Sequence, residues 1–255
     1  MIATLGMYDM PALQAANDRF WNLIRAQLGS GPEHLNRDKD VWAVWQDPNL
    51  ILAQTCGMPF RTRLHGHVQL VGTPDYDLPG CPPGYYCSVF VARNDDDRDL
   101  AGLSTGVFAY NEGLSQSGWA APITHMIQAN LHPAGLLETG GHALSAQAVA
   151  GGKADFAALD MLTWLMLQQH SNLGTKLREL ARTTPTPTLP YITSMSQNPQ
   201  VIAGAVRAAI DQLCDDDQRL LHIRGLIDIP AAHYLAVPTP PSPKDSGSAT
   251  AQFDD

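Results

Sequence analysis

The chain has 255 residues, of which 44% are hydrophobic and 16% are charged, as in a soluble globular protein with room for one large domain or two lobes. Its net charge of −9 and the lack of any Lys- or Arg-rich run argue against broad binding to nucleic acid or to an anionic membrane surface, which both require a basic face. Because no run of about 18 apolar residues occurs, we expect no membrane-embedded helix. A small anionic ligand stays possible, since a pocket responds to its local groups.

The N-terminal sequence reads Met-Ile-Ala-Thr-Leu-Gly-Met-Tyr-Asp. It has no basic segment, no sustained apolar segment and no small-residue cleavage site, which are the marks of a secretion signal. Taken as encoded, this start predicts a cytoplasmic protein.

The cysteines of the chain are Cys56, Cys81, Cys87 and Cys214. They have no Cys-x-x-Cys spacing and no clustered histidines, which argues against a zinc site. We therefore predict neither a metal nor another cofactor. Since Cys56 and Cys81 each lie in a Gly-containing turn, we hypothesise a disulfide between them.

Strands alternate with helices in the first part of the chain. Residues 2–7 predict a strand, and an amphipathic helix follows from Pro11 to Leu28. Further strands are predicted over residues 50–54 and 68–73, and a loop rich in Pro, Gly and Tyr comes after them.

The same alternation continues in the second part. A β-branched run over residues 106–110 predicts a strand, and a helix is predicted from Gln116 to about Asn130. A helix over residues 143–150 and a strand over 154–159 follow, and Asp160 precedes another helix.

Two segments predict crossings between lobes. The first follows the β-branched run 88–93 and includes the charged residues 94–99. The second is Thr-Pro-Thr-Pro-Thr-Leu-Pro at 184–190, which is stiff and extended because proline excludes helix. We assign the lobes and the tail from these crossings: residues 1–90 and 186–237 form lobe 1, 91–185 form lobe 2, and the Pro- and Ser-rich residues 238–255 form a disordered tail. The alternation predicts an α/β protein with mainly parallel sheets and a cleft between two lobes.

Polar residues that follow predicted strands or begin predicted helices are the candidates for a ligand site, because ligands collect at the carboxyl ends of parallel strands. They are Tyr8, Gln54, Thr55, Ser115, Ser117, His142 and Asp160. Each also has a purely structural interpretation. The serine, histidine and aspartate residues could cap helices, Tyr8 could be a packed aromatic, and Gln54 and Thr55 could make turn hydrogen bonds. Arg61 and Arg63 could neutralise an anion or could simply be solvated.

The stretch 107–122 carries the most specific pattern. A predicted strand is followed by a Gly-containing turn, and Ser115 stands where the helix begins. The first N–H groups of a helix have no partner inside the helix and carry the positive end of its dipole. Together with the hydroxyls of Ser115 and Ser117, they would form a cradle for an oxyanion.

These residues resemble a known family. The motif Asn111-Glu112-(x2)-Ser115-(x)-Ser117-Gly118-Trp119-(x2)-Pro122 is similar to the Ser-x-Ser-Gly-aromatic motif of the phosphate/phosphite/phosphonate-binding proteins of ABC importers. The segments 139–142, 148–155 and 157–160 resemble the second-lobe signature of that family, and the crossing at 185–191 also fits it. The resemblance extends from about Ile2 to Val237.

The resemblance implies a type II periplasmic-binding-protein fold, with two α/β lobes that close on an oxyanion. By motif position Ser115, Gln116 and Ser117 would hold its oxygens, His142 would be a further donor and Asp160 an acceptor, and Tyr8 and Thr55 would contact the ligand from the first lobe. The chain differs from the family pattern at Gln116, where the family often has Thr.

The function implied is that of a non-enzymatic substrate-binding protein for a small oxyanion, with a permease or a sensor protein as its partner. The family is periplasmic, whereas the start of this chain predicts the cytoplasm. Two alternatives stay open: a cytosolic enzyme on the same fold, with His142 or Asp160 as acid or base, and a cytosolic sensor of the same anion. Because a carboxylate repels an anion unless the ligand brings a proton or an amine, Asp160 predicts a preference for hydrogen phosphate, phosphite or an aminophosphonate over sulfate.

Overall fold

The computed structural model describes residues 1–246 and 249–250. Thirteen strands occur in this part of the chain: β1 (Ile2–Thr4), β2 (Leu50–Gln54), β3 (Val68–Asp75), β4 (Tyr85–Tyr86), β5 (Ser88–Arg93), β6 (Val107–Tyr110), β7 (Gly135–Glu138), β8 (Phe156–Asp160), β9 (Leu177–Arg182), β10 (Thr186–Pro187), β11 (Tyr191–Ser194), β12 (Gly225–Ile227) and β13 (Ala249–Thr250).

Helices connect most of the strands. They are α1 (Gln14–Leu28), α2 (Val41–Trp45), α3 (Gly57–Pro59), α4 (Leu100–Leu103), α5 (Ala121–Gln128), α6 (His142–Ala150), α7 (Met161–His170), α8 (Leu173–Lys176), α9 (Pro199–Gln212), α10 (Asp215–Leu221) and α11 (Ala231–Leu235). A π-helical turn, Phe60–Leu64, follows α3, and another, Gln116–Ala120, precedes α5. Within the described residues, no helix combines the length and the apolarity that crossing a membrane requires.

The chain divides into two compact units. The first comprises residues 1–85 and 187–236, and the second comprises 86–186 and the described residues from 237 onward. The first crossing falls before β5, because β5 pairs along both of its sides with β8 and β9 of the second unit. Residues 86–90, which the sequence analysis assigned to the first lobe, therefore lie in the second unit. The short strands β4 and β10, at the two crossings, pair with each other.

The first unit contains a five-stranded sheet in the order β1-β2-β11-β3-β12. Strands β1 and β2 are parallel, whereas β11 runs antiparallel to both of its neighbours. One face of this sheet carries an apolar core that includes Trp45, Phe60 and Tyr234. Strand β11 is antiparallel because the chain enters it from the second crossing.

The second unit contains a six-stranded sheet in the order β13-β7-β6-β8-β5-β9. Strands β7, β6 and β8 are parallel to one another, while β5 is antiparallel to β8 and β9 is antiparallel to β5. The expectation of mainly parallel sheets was wrong. Strands β5 and β11, which the chain enters from the two crossings, run against both of their neighbours.

Several short regular elements were not expected from the sequence, among them β7, β12 and α11. Strand β7 follows Pro133, strand β12 has only three residues, and helix α11 has only five. Such short elements carry too few residues for a periodic pattern, and their pairing partners decide their conformation.

The cysteine hypothesis was also wrong. The structure has Cys56 and Cys81 as thiols and not as a disulfide. Cys56 is buried at the start of α3.

The described residues from 237 onward make contacts within the second unit. The indole Nε1 of Trp119 donates a hydrogen bond of 3.0 Å to the carbonyl oxygen of Pro241, and β13 pairs with β7 at the edge of the sheet. The sequence analysis expected a disordered tail over residues 238–255. Of that tail, residues 247–248 and 251–255 lie outside the described residues.

We expect that a chain ending at Ala236 melts at a lower temperature than the full chain. It loses the acceptor of the buried Trp119 indole and the pairing of β13, and each lost hydrogen bond costs about 1 kcal/mol, or about 2–4 °C in a protein of this size. Calorimetry of a chain ending at Thr250, which removes only residues beyond β13, is the matched control. Equal melting temperatures for all three chains would contradict the stabilising role of the segment.

Candidate functional site

The turn that follows β6 begins a helix in an unusual way. Ser115 is the N-cap, and its Oγ accepts a 3.0 Å hydrogen bond from the N–H of Gly118. The N–H of Ala120 then reaches back five residues to the carbonyl oxygen of Ser115, which gives the first turn its π-helical form. Single π turns inside helices are frequent at functional sites. Ser115, Gln116 and Ser117 are only 2–3% exposed, so this helix start is not an ordinary surface cap.

Gly118 allows the turn to lie against the end of β6. A Cβ atom at this position would collide with Oδ1 of Asn111, so no other residue fits while Asn111 keeps its place. The Oδ1 atom of Asn111 is itself buried and has no hydrogen-bond partner within the described residues. Since buried polar atoms in proteins nearly always have a partner, this atom marks the turn as a place where a ligand or water would complete the bonding.

The loop that follows β7 brings His142 to the same turn. The N–H groups of Thr139 and Gly140 donate to the carbonyl oxygens of Tyr110 and Asn111, which ties the ends of β6 and β7 together. Helix α6 then begins at His142, and the preceding Gly141 makes no side-chain cap. The N-termini of two helices are therefore present at one edge of the sheet.

Ser117, His142 and Asp160 form a polar cluster. The Oγ of Ser117 lies 3.0 Å from Nε2 of His142, and Oδ2 of Asp160 lies 3.5 Å from the same nitrogen. The other carboxylate oxygen of Asp160 accepts a 2.9 Å hydrogen bond from the N–H of Thr163. Asp160 thus caps α7, as one interpretation of the sequence expected, and also contacts His142.

Burial lowers the pKa of His142 below its usual value of about 6.5. The charge of Asp160 and the carbonyl of Ala158 act in the opposite direction without overcoming the burial. The imidazole is therefore neutral at pH 7 and carries a single N–H. Nearby, burial and the neighbouring Glu138 raise the pKa of the Glu112 carboxyl.

The candidates of the first unit group around Tyr76. Its ring packs edge to face with that of Tyr8, with centroids 5.6 Å apart, and its hydroxyl accepts a 2.8 Å hydrogen bond from Nε2 of Gln54. The same amide nitrogen also donates to the carbonyl oxygen of Leu189. Gln54 therefore holds Tyr76 in place, which agrees with its structural interpretation.

Thr55 differs from Gln54. Its backbone N–H donates to the carbonyl oxygen of Pro190, but its Oγ1 is buried and has no hydrogen-bond partner among the described residues. The segment that follows it, α3 and then a π-helical turn, resembles the π turn after Ser115. Both units therefore place a buried hydroxyl residue just before a helical segment that contains a π turn.

The predicted residues divide between the two units. Ser115, Gln116, Ser117, His142 and Asp160 lie in the second unit, and Tyr8 and Thr55 lie in the first. Arg63 is not part of either group, because its guanidinium lies over the Trp42 ring at 5.2 Å. Across the described residues, no group of three or more His, Cys, Asp or Glu side chains is arranged to hold a metal ion.

Sequence reasoning did not select Asn111 or Tyr76 as site residues. Asn111 stands in the quoted motif, and its position between a strand and a helix start was a usable signal. Tyr76 lies in a loop with no motif around it, so only the fold reveals its contact with Tyr8.

Comparison with known proteins decides the family. The model of the phosphonate periplasmic substrate-binding proteins of ABC transporters matches residues 45–232, which is most of the chain. The chain belongs to this family. Proteins of the family are the periplasmic substrate-binding components of transporters. No curated protein is similar enough in sequence to count as a relative.

Solved structures support the type II periplasmic-binding-protein fold. PhnD1 from Prochlorococcus marinus in complex with methylphosphonate is 15% identical, with a TM-score of 0.72 over 91% of this chain and 93% of that protein. PA3383 from Pseudomonas aeruginosa, a binding-protein component of an ABC phosphonate transporter, is 15% identical, with a TM-score of 0.69 over 89% and 80%. XAC2383 from Xanthomonas citri, bound to chloride ion, is 14% identical, with a TM-score of 0.64 over 92% and 97%. The expected fold is confirmed.

The substitution Gly118→Ala should destabilise the protein. The added methyl group displaces Asn111, and forcing extra volume into a packed site costs about 1–3 kcal/mol. Thermal unfolding measures the loss. Gly204→Ala is the matched control, because a Cβ at exposed Gly204 in α9 meets nothing within 4 Å and alanine favours helix. Adding Asn111→Ala to Gly118→Ala should restore part of the stability, and a Gly118→Ala variant as stable as the wild type would refute the close contact.

The stability of the protein should also depend on His142 at acidic pH. In the unfolded chain His142 takes up a proton near pH 6.5, whereas burial prevents this in the native state until a lower pH. The unfolded state then binds more protons, so the free energy of unfolding falls as the pH drops from 6.5 toward the native pKa, by at most about 1.4 kcal/mol per pH unit.

Urea unfolding between pH 5 and pH 7 measures this dependence. The slope should be smaller in His142→Gln than in the wild type, and His67→Gln, at an exposed position, controls for the loss of an imidazole. Identical slopes for the wild type and His142→Gln would show that His142 is not held neutral.

Proposed function

We propose that the protein binds a small phosphorus oxyanion, which is phosphate, phosphite or a phosphonate, as the substrate-binding component of an ABC-type uptake system. The observation that carries the proposal is the buried turn Ser115–Gly118, whose Ser117 hydroxyl lies 3.0 Å from His142. This turn offers hydroxyl and backbone donors where a negative charge is favoured. A permease would be the partner that receives the ligand, and the periplasm would be the compartment, as in the family.

The donors of the second unit suit an oxyanion. The Oγ of Ser115 accepts from Gly118, which leaves its own proton for a ligand oxygen. Ser117 contributes a second hydroxyl, Gln116 its amide, and His142 an N–H. The positive ends of two helix dipoles add to their effect, because an anion at a helix N-terminus is stabilised by the dipole and by the N–H groups there.

The donors of the first unit would supplement them. Thr55 supports this part of the proposal because its buried Oγ1 has no partner within the described residues. Tyr8 is packed against Tyr76, which fixes its ring. Tyr8 and Thr55 would each offer a hydroxyl group to the ligand.

Asp160 would select the protonation state of the ligand. A carboxylate next to an oxyanion is unfavourable unless the ligand donates a hydrogen bond to it. Hydrogen phosphate and the monoprotonated forms of phosphite and phosphonates can donate a P–O–H proton, whereas sulfate is fully deprotonated. The site would therefore prefer phosphorus oxyanions to sulfate.

The cluster resembles a Ser-His-Asp triad in composition but not in geometry. In a triad the serine contacts one imidazole nitrogen, which takes up its proton, and the aspartate accepts a hydrogen bond from the other nitrogen and so orients the ring. Here Ser117 and Asp160 both approach Nε2 of His142. This arrangement favours ligand binding over nucleophilic catalysis, and we propose no enzymatic activity.

Thermal unfolding with a panel of anions tests the proposal. A ligand at about 100 times its dissociation constant stabilises the native state by about 2.7 kcal/mol, so phosphate, phosphite or methylphosphonate should raise the melting temperature by several degrees. Ser117→Ala should reduce the shift. Ser171→Ala should leave the shift unchanged, because the Ser171 hydroxyl donates to the carbonyl oxygen of Leu167 and not to the cluster. If none of these anions shifts the melting temperature of the wild type, the proposed ligand class is wrong.

Asp160→Asn tests the selection against sulfate. Asparagine keeps a good helix cap and so preserves the bond to Thr163, but it removes the negative charge. Titration calorimetry should give tighter binding of phosphate than of sulfate to the wild type and a smaller difference in the variant. Equal affinities of the wild type for both anions would rule out the role of Asp160.

A further inference from the structure

Ser88 lies directly opposite Asp160 in the sheet of the second unit. Strand β5 is antiparallel to β8, and the pairs along the two strands are Ser88 with Asp160, Phe90 with Ala158 and Ala92 with Phe156. Directly opposite residues of an antiparallel pair project to the same face, with Cβ atoms about 4.5–5.5 Å apart. The Ser88 hydroxyl and the Asp160 carboxylate are therefore neighbours on one face.

That face is the one on which the Ser115–Ala120 turn lies. Side chains alternate along a strand, so Ser88 projects with Phe90 and Ala92, and Asp160 projects with Ala158. Phe90, Ala92 and Ala158 belong to the apolar core that contains Trp119 of the turn. Ser88 thus stands where this core ends and the polar cluster of Ser117, His142 and Asp160 begins.

The backbone of Ser88 is fully engaged. Its N–H donates to Oγ1 of Thr183 at 2.9 Å, and its carbonyl oxygen accepts from the N–H of Thr183. The residue is only 1% exposed, and its hydroxyl, in contrast, is buried and has no hydrogen-bond partner within the described residues. A buried hydroxyl without a partner costs free energy that an alanine would not cost, so packing does not account for a serine at this position.

We infer that Ser88 is a further ligand-binding residue, whose hydroxyl donates to the phosphorus oxyanion beside Asp160. This inference rests on the proposed function and deepens it. Ser88 would donate to an anionic P–O⁻ oxygen, and Asp160 would accept from the adjacent P–O–H. A donor and an acceptor side by side match the HO–P–O⁻ group of a monoprotonated phosphate, phosphite or phosphonate, and sulfate satisfies only the donor.

Ser88→Ala is the first test, with Ser104→Ala as its control. Ser104 is also a buried serine of the second unit, but its hydroxyl donates to the carbonyl oxygen of Ala101. Titration calorimetry with phosphate, phosphite and methylphosphonate should give binding about tenfold weaker or more in Ser88→Ala, because hydrogen bonds to charged groups are the strong ones. Ser104→Ala should bind as the wild type does.

Thermal unfolding without ligand separates binding from structure. Removing a hydroxyl that has no partner should leave the melting temperature of Ser88→Ala unchanged or higher, whereas Ser104→Ala should melt lower. Ser88→Cys is a second variant, in which a thiol of similar size is a weak donor, and it should lose affinity in the same way.

Two results would overturn the inference. One is wild-type affinity for these anions in Ser88→Ala and Ser88→Cys; the other is a lower melting temperature without ligand together with unchanged affinity, which is the sign of a structural role. If the wild type itself binds no phosphorus oxyanion, the proposed function fails first. If instead the wild type binds and a Ser88 variant binds equally well, only the inference about Ser88 fails.

Discussion

The close approach of Gly118 to Asn111 is the contact on which the polar cluster depends. With no side chain at position 118, the turn after β6 lies against the end of its own strand. The hydroxyl of Ser117 then reaches the imidazole of His142, which the neighbouring loop has brought to the same edge of the sheet. The absence of a side chain at position 118 thus leaves room for Asn111 and also for His142, whose Cε1 atom would lie 3.2 Å from an added Cβ atom.

Burial determines the charges of this cluster. His142 is neutral at pH 7 because its burial outweighs the attraction of Asp160. The cluster therefore presents hydroxyl, amide and imidazole donors with one carboxylate. None of the residues named in it carries a positively charged side chain. Its preference for an anion would come from the directions of its donors and from two helix termini, which suits a protein whose net charge is −9.

Much of the second unit could be predicted from the sequence because its signals are local. The β-branched run before Tyr110, the capping serine at 115 and Pro122 near the helix start each act within a few residues. Asn111 offered only its place between a strand and a helix start as a local signal, and Ser88 offered none. The importance of Asn111 comes from its contact with Gly118, and that of Ser88 comes from a strand register set by the whole sheet. The antiparallel direction of β5 and β11 was missed for the same reason, since strand direction depends on where the chain crosses between units.

The contact between Gly118 and Asn111 also constrains how this site could change in evolution. A larger residue at 118 collides with Asn111, so position 111 has to become smaller before position 118 can gain a side chain. The reverse order passes through a destabilised protein. The order of substitutions at the two positions therefore matters. Related sequences should change at position 118 only where position 111 has already changed.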